Sequence, residues 1–172
     1  MKLYVKYYLA RFREKIQGVE FIKPFAEDPS YGEDYYPSRS SGGKPLRELL
    51  RKMPISKTDS IVDIGCGKGR AINEFRHFPF RKIDGIELLG NVSKVAEYNF
   101  KRLKERRVNI YNANATSFEK YHQYTYYYLY NPFSERILEE VLRLIDSSLV
   151  THPRSIFIIY DNPTGHKMLE KH

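Results

Sequence analysis

A chain of 172 residues that is 41% hydrophobic is one domain's worth of sequence and can bury a full core. Its single cysteine excludes an internal disulfide, no Cys/His cluster has the spacing of a metal site, and no run of about 18 apolar residues could cross a bilayer. A formal charge of +8 invites an anionic partner, nucleic acid or a lipid surface, but the basic residues are spread over several predicted helices.

The first element is a helix from Met1 to Ile16, with Val5, Leu9, Phe12 and Ile16 at helical spacing and Lys2, Lys6, Arg13 and Lys15 elsewhere around the wheel. Such a basic amphipathic helix either makes peripheral contact with an anionic membrane or docks its apolar stripe on the domain. Several tyrosines and Glu14 dilute the membrane character and favour docking. The apolar block and small-residue cleavage site of a secretory signal are missing, so a cytoplasmic location is expected.

A short apolar segment from Val19 to Phe25 leads into a loop from Ala26 to Gly43, made acidic by Glu27, Asp28, Glu33 and Asp34. Long loops without their own secondary structure are often lids. Placed just before the next strand, the region Tyr36-Pro37-Ser38 is set to fold over a ligand. A helix from Pro45 through Met53 then stops before Pro54. Residues 1–54 thus form an N-terminal helix, lid and helix ahead of a core spanning 55–172.

In Ser60-Ile61-Val62-Asp63-Ile64-Gly65-Cys66-Gly67-Lys68-Gly69-Arg70 a β-branched run ends in three alternate glycines and a helical pattern begins. Glycine permits a sharp turn and a close approach of backbone N–H groups to a ligand. The spacing G-x-G-x-G differs from the dinucleotide fingerprint G-x-G-x-x-G, whose third glycine would fall at Arg70. Cys66 contributes backbone and small size here, not a reactive thiol.

The chain continues as helix and strand in alternation. A helix from Gly69 to Phe78 precedes a strand from Lys82 to Leu88, and a helix from Asn91 to Arg107 precedes a strand from Val108 to Tyr111. Glu87 stands at the spacing where a carboxylate for ribose hydroxyls belongs. The densest basic run, Lys101 to Arg107, closes a helix and reads as a solvated helix end, with phosphate binding as the alternative. The fourth strand, Tyr124 to Tyr130, ends in Asn131-Pro132-Phe133 and is followed by Ser134, a helix N-cap. A helix to Val150 and a strand from Ser155 to Tyr160 complete the pattern. Alternation of this kind implies an α/β fold, a doubly wound, mostly parallel sheet with helices on both faces. Ligands then sit beyond the carboxyl ends of the strands, so the Asn131 corner should face the glycine loop.

The octet Val62-Asp63-Ile64-Gly65-Cys66-Gly67-Lys68-Gly69 resembles the first motif of class I, Rossmann-like S-adenosylmethionine-dependent methyltransferases. Over about Ile55 to Pro163 the resemblance implies a central strand order 3-2-1-4-5 and S-adenosyl-L-methionine as cofactor. It implies that Asp63, Gly65, Cys66, Gly67, Lys68 and Gly69 form the cofactor loop, that Glu87 with Leu88 holds the ribose, and that Asn114 with Ala115 meets the adenine. Many relatives carry Asp-Ala where this chain has Asn114-Ala115, although an asparagine oxygen still accepts from an exocyclic amine. Asn131-Pro132-Phe133 resembles, one proline short, the Asn-Pro-Pro-aromatic motif of nitrogen methyltransferases, which implies that Asn131 orients an acceptor and Phe133 packs on its face. Were the acceptor a hydroxyl, His122, Asp161 and the lid tyrosines are the candidate bases.

The chain departs from that family after the fifth strand, where only Thr164 to His172 remain in place of a further helix and strand pair. An uncovered edge of this kind can pair with a second copy, so a homodimer is one expectation. Three readings stay open: a methyltransferase whose acceptor is nucleic acid, protein or a small molecule; a cofactor-binding or partner-binding module without catalysis; and a nicotinamide-dependent oxidoreductase, disfavoured by Arg70.

Overall fold

The computed structural model describes residues 2–23 and 41–163, with side chains from Tyr7 onward in the first segment. Its element order is α1 (Lys2–Gln17), α2 (Lys44–Leu50), β1 (Ser60–Ile64), α3 (Arg70–Phe75), β2 (Lys82–Glu87), α4 (Gly90–Arg102), β3 (Val108–Asn112), two 3₁₀ turns (Ala115–Ser117 and Tyr121–Gln123), β4 (Tyr126–Leu129), α5 (Glu135–Thr151) and β5 (Phe157–Tyr160). All strand pairs are parallel, in the order β3-β2-β1-β4-β5 that the family resemblance implies. Every residue of β1 and β4 is buried, as a central parallel strand covered on both faces requires, whereas β3 and β5 lie at the edges and are partly exposed.

Alternation along the strands divides the core in two. Ile61 and Ile83 share one face with Tyr126, Tyr128 and the apolar sides of α2, α3 and α4, while Val62, Ile64, Tyr127 and Leu129 face α5. The strand tyrosines are therefore core residues and no stacking platform for bases. Tyr128 meets Phe75 edge-on at 5.4 Å between ring centroids and Tyr126 meets Phe80 at 5.3 Å.

Between β3 and β4 the crossover carries only the two 3₁₀ turns, and aromatic rings fill the face beneath it: Phe118 lies 5.2 Å from both Tyr111 and Tyr121. Tyr121 donates to the Ala115 carbonyl at 2.9 Å, Tyr127 to the Tyr121 carbonyl at 2.7 Å, and Tyr124 to buried Asp84. Arg154 ties this region to the end of α5. Its guanidinium donates to the carbonyls of Tyr121, Tyr124, Ser148 and His152 and to the hydroxyls of Tyr127 and Ser148, at 2.7–3.1 Å. Arg154→Ala orphans several buried acceptors, so a loss of about 2 kcal/mol in unfolding free energy is expected from the denaturant midpoint. A change below about 0.5 kcal/mol, the scale of ordinary surface substitutions, would show that the clamp carries no stability.

Three helices end sooner than the sequence suggests: α2 at Leu50, α3 at Phe75 and α4 at Arg102, where Met53, Phe78 and Arg107 were expected. Lys104, at φ 53°, enters the left-handed region and closes the chain after α4. Within the basic run, Arg107 turns inward to the carbonyls of Arg76, Phe78 and Phe80 and to Glu105, while Lys101, Arg102, Lys104 and Arg106 are exposed.

The expected docking of the α1 stripe does not occur: Leu9, Phe12 and Ile16 are 55%, 62% and 69% exposed. The helix attaches by its other side. Glu14 is buried and accepts from the Phe21 and Ile22 amides at 3.0 and 2.9 Å, and the turn at Gly18 delivers Val19 and Phe21 to the core in place of the stripe.

Candidate functional site

The glycine loop forms where β1 ends, with Gly65, Gly67 and Gly69 at φ 79°, 53° and 83°, a region that other residues enter only under strain. A methyl group on Gly65 would lie 2.5 Å from Pro132 Cβ, so the Asn131 corner faces this loop as the topology requires. The loop amides, however, are turned inward. Those of Gly65 and Cys66 donate to the Ile86 carbonyl at 2.9 and 3.0 Å, that of Gly67 to Glu87 at 2.9 Å and that of Gly69 to the Cys66 carbonyl at 2.9 Å. The expectation that these N–H groups meet the ligand is corrected: they fix the loop and a carboxylate.

That carboxylate belongs to Glu87 at the end of β2, 3% exposed, with Leu89 N–H on its other oxygen at 3.0 Å. Burial raises its pKa, and the amides of Leu89, Gly67 and Leu88 act against the rise. A carboxylate accepts about four hydrogen bonds, so capacity remains beyond these amides for hydroxyl donors. Neighbouring Leu88 is half-buried.

Asp63, on β1, is 2% exposed, and its Oδ2 has no hydrogen-bond partner. Burial, and secondly the charge of Glu87, push its pKa well above the ordinary value. Ser60 Oγ and Tyr126 Oη are the other unpartnered buried side-chain atoms among the described residues, and both sit at strand starts, so Asp63 alone belongs to the carboxyl end. An unsatisfied buried carboxylate is costly unless something cationic or hydrogen-donating meets it. Cys66 is buried with its thiol pushed up by burial, which agrees with a packing role.

Several expected site residues are employed differently. The Lys68 ammonium pairs with Glu20 and donates to the Lys23 carbonyl at 2.9 Å, so this side chain anchors the segment after α1 to the loop. Asn114 Oδ1 accepts from the Thr116 amide and hydroxyl, both at 3.0 Å, capping the first 3₁₀ turn, and Ala115 is buried behind it. Phe133 is 4% exposed and packs in the α5 core cluster, so it is not presented to an acceptor. His122 stacks on His152 beyond the end of α5, at the amino ends of the strands and away from the loop. Tyr36 lies outside the described residues.

The described end of the loop before α2 does approach the site. Ser41 hydrogen-bonds Tyr128, and a methyl on Gly42 would lie 3.3 Å from Arg70 O and Ala71 Cα in the first turn of α3.

One arrangement was missed in the sequence. Leu129 pairs with Tyr160 in the β4–β5 register, which sets Asn131-Pro132 directly beside Asn162-Pro163. Both asparagines are left-handed, at φ 44° and 53°. Side chains cross-link the corners: Tyr160 donates to Asn131 Oδ1 and Tyr128 to Asp161 Oδ2, each at 3.0 Å. The repeated Asn-Pro after two apolar runs was the available signal.

No protein-family profile matches the sequence, and no curated protein matches it. Solved structures do. A precorrin 8w decarboxylase from Methanobacterium thermoautotrophicum superposes with TM-score 0.57 at 22% identity, over 86% of this chain and 74% of that one. An S-adenosylmethionine-dependent methyltransferase from Thiobacillus denitrificans, in complex with S-adenosyl-L-homocysteine, gives 0.54 at 15% identity, over 67% of this chain and 46% of that one. An RNA methyltransferase from Salinibacter ruber with the same ligand gives 0.52 at 19% identity, over 63% and 70%. The chain spans under half the length of several other methyltransferases that it matches. The fold is that of class I S-adenosylmethionine-dependent methyltransferases.

Proposed function

We propose that this protein binds S-adenosylmethionine at the glycine loop and transfers its methyl group to an acceptor delivered at the Asn131–Asp161 edge. The observation that carries the reading is the pair of buried carboxylates, Asp63 and Glu87, beside a loop whose glycine amides are already engaged. A pyrophosphate needs amides and repels carboxylates. A ribose diol for Glu87 is common to both ligands, so it is the cationic centre that Asp63 can face, with the engaged loop amides, that favours S-adenosylmethionine over a nicotinamide dinucleotide.

In this reading Glu87 accepts from the ribose hydroxyls, Asp63 faces the positive charge, and the bare backbone at Gly67 allows close approach, while Gly65 makes room for Pro132. When bound, the cofactor supplies a methyl group on a positively charged sulfur, which moves by in-line displacement, so alignment and exclusion of water supply much of the acceleration. On the acceptor side, Tyr160 fixes the Asn131 amide so that it can orient an incoming nitrogen or hydroxyl. In the same reading Asp161, which accepts from Tyr128, holds the proton that the acceptor gives up.

Calorimetric titration tests the donor site. S-adenosylmethionine and S-adenosylhomocysteine are expected to bind with micromolar affinity and NAD not to bind. Absence of binding by either adenosyl compound to the folded protein would overturn the reading. Methyl transfer from labelled cofactor to nucleic acid, protein or small-molecule fractions then separates an enzyme from a binding module.

A further inference from the structure

The outward face of α1 has the chemistry of a membrane-surface contact, independently of the cleft. Tyr8, Leu9, Phe12 and Ile16 are 68%, 55%, 62% and 69% exposed, and their spacing gathers them within an arc of about 100°. Four large apolar side chains in one arc form a patch, unlike single exposed residues scattered over a surface. On the opposite side of the helix Glu14 is buried.

The charges around this arc have one sign. Arg13 borders it on one side and Lys15 on the other, both exposed. Glu14 is the only acid in the helix, and it is taken up by the Phe21 and Ile22 amides and by Arg11 at 3.0 Å. Beside the helix the surface turns mixed in character, with Glu20 paired to Lys68. Val19 and Glu20 line one groove with Phe12 and another with Lys94 and Tyr98 of α4, where Tyr98 is 56% exposed.

Three occupants can be weighed on this chemistry. A second copy packed stripe to stripe would set basic flank against basic flank, which is destabilising. A nucleic acid would use the cations but leave Leu9, Phe12 and Ile16 in water. An anionic lipid surface uses both, because apolar side chains enter the headgroup boundary while Lys and Arg stems extend to lipid phosphates. We propose that α1 is an interfacial helix that docks this protein reversibly on bilayers rich in anionic lipid. A single amphipathic face binds moderately and with strong dependence on lipid charge and salt.

The chain contains no tryptophan, so Phe12→Trp introduces a single reporter at the centre of the stripe. With vesicles of phosphatidylglycerol and phosphatidylcholine its emission is expected to shift to the blue and the full-length protein to co-sediment, at least about tenfold more strongly than with phosphatidylcholine alone. Raising the salt from about 0.05 to 0.5 M should weaken binding severalfold. In the native chain, Phe12→Glu should lower vesicle affinity by about tenfold or more, and Arg13→Glu with Lys15→Glu should remove the preference for anionic lipid. All these positions are exposed, so thermal melting should be unchanged and confirms that each variant folds. No sedimentation with anionic vesicles, or sedimentation indifferent to Phe12→Glu, would overturn the proposal. So would a concentration-dependent dimer in light scattering that Phe12→Glu dissociates, which would assign the stripe to a second copy.

Discussion

Glu87→Ala is expected to weaken S-adenosylhomocysteine binding by about a hundredfold while moving the melting temperature little. Two hydroxyl donors on one carboxylate make charge-assisted bonds of about 1.5–3 kcal/mol each, and about 1.4 kcal/mol is a factor of ten in affinity. The carboxylate also holds Gly67 and Leu89 through their amides, so alanine loosens the glycine loop in addition to deleting the ribose contact. Stability responds to two opposed effects. Loss of the amide bonds is unfavourable, but the raised pKa of Glu87 means that its charged form burdens the native state once the pH exceeds the ordinary value of 4.5, and alanine removes that burden. Glu87→Gln keeps one acceptor oxygen and drops the charge, so it should fall between the two. Calorimetry beside a melting curve separates the effects; wild-type affinity in Glu87→Ala would remove the ribose role from this residue.

How much of this site could be read beforehand depended on how local each signal was. The glycine loop and Glu87 are carried by short spacings and the strands by β-branched runs, which fix backbone path whatever surrounds them, while the strand order came from the family resemblance of the octet Val62 to Gly69. The facing of Gly65 and Pro132 followed from topology, since both lie at carboxyl ends of adjacent parallel strands. Partners far apart in the chain were illegible. Lys68 is spoken for by Glu20, 48 residues away, and nothing in the motif reveals it. Asn114 caps its own turn because a short side-chain oxygen is offered a backbone amide two residues on, a local use that the motif does not reveal. Phe133 went to the core because the helix behind it needed a large apolar residue at that corner, alongside Ile137. The α1 stripe was misjudged because helical periodicity shows that a face exists and not which face is covered.

Asp63→Asn is expected to stabilise the ligand-free protein and weaken cofactor binding together, a pairing that a purely structural carboxylate would not produce. The native state holds a buried carboxyl group with an unpartnered oxygen beside the carboxyl of Glu87. Relieving such a group is worth about 1–3 kcal/mol, and asparagine keeps its shape while removing the charge. Because the native pKa lies above the ordinary 3.8, the native state binds its proton more tightly than the unfolded chain does. The group's favourable contribution is therefore complete below the unfolded pKa and is lost as pH rises through the native one. The gap in melting temperature between Asp63→Asn and wild type should accordingly be small near the ordinary value of 3.8 and widen as the pH rises above it. Binding should move the other way: a cationic ligand offsets the charge of Asp63, so the variant should lose about tenfold in affinity for S-adenosylmethionine. Stability that falls in the variant by the same amount at every pH, with affinity intact, would make Asp63 a packing residue and leave Glu87 as the only carboxylate of the site.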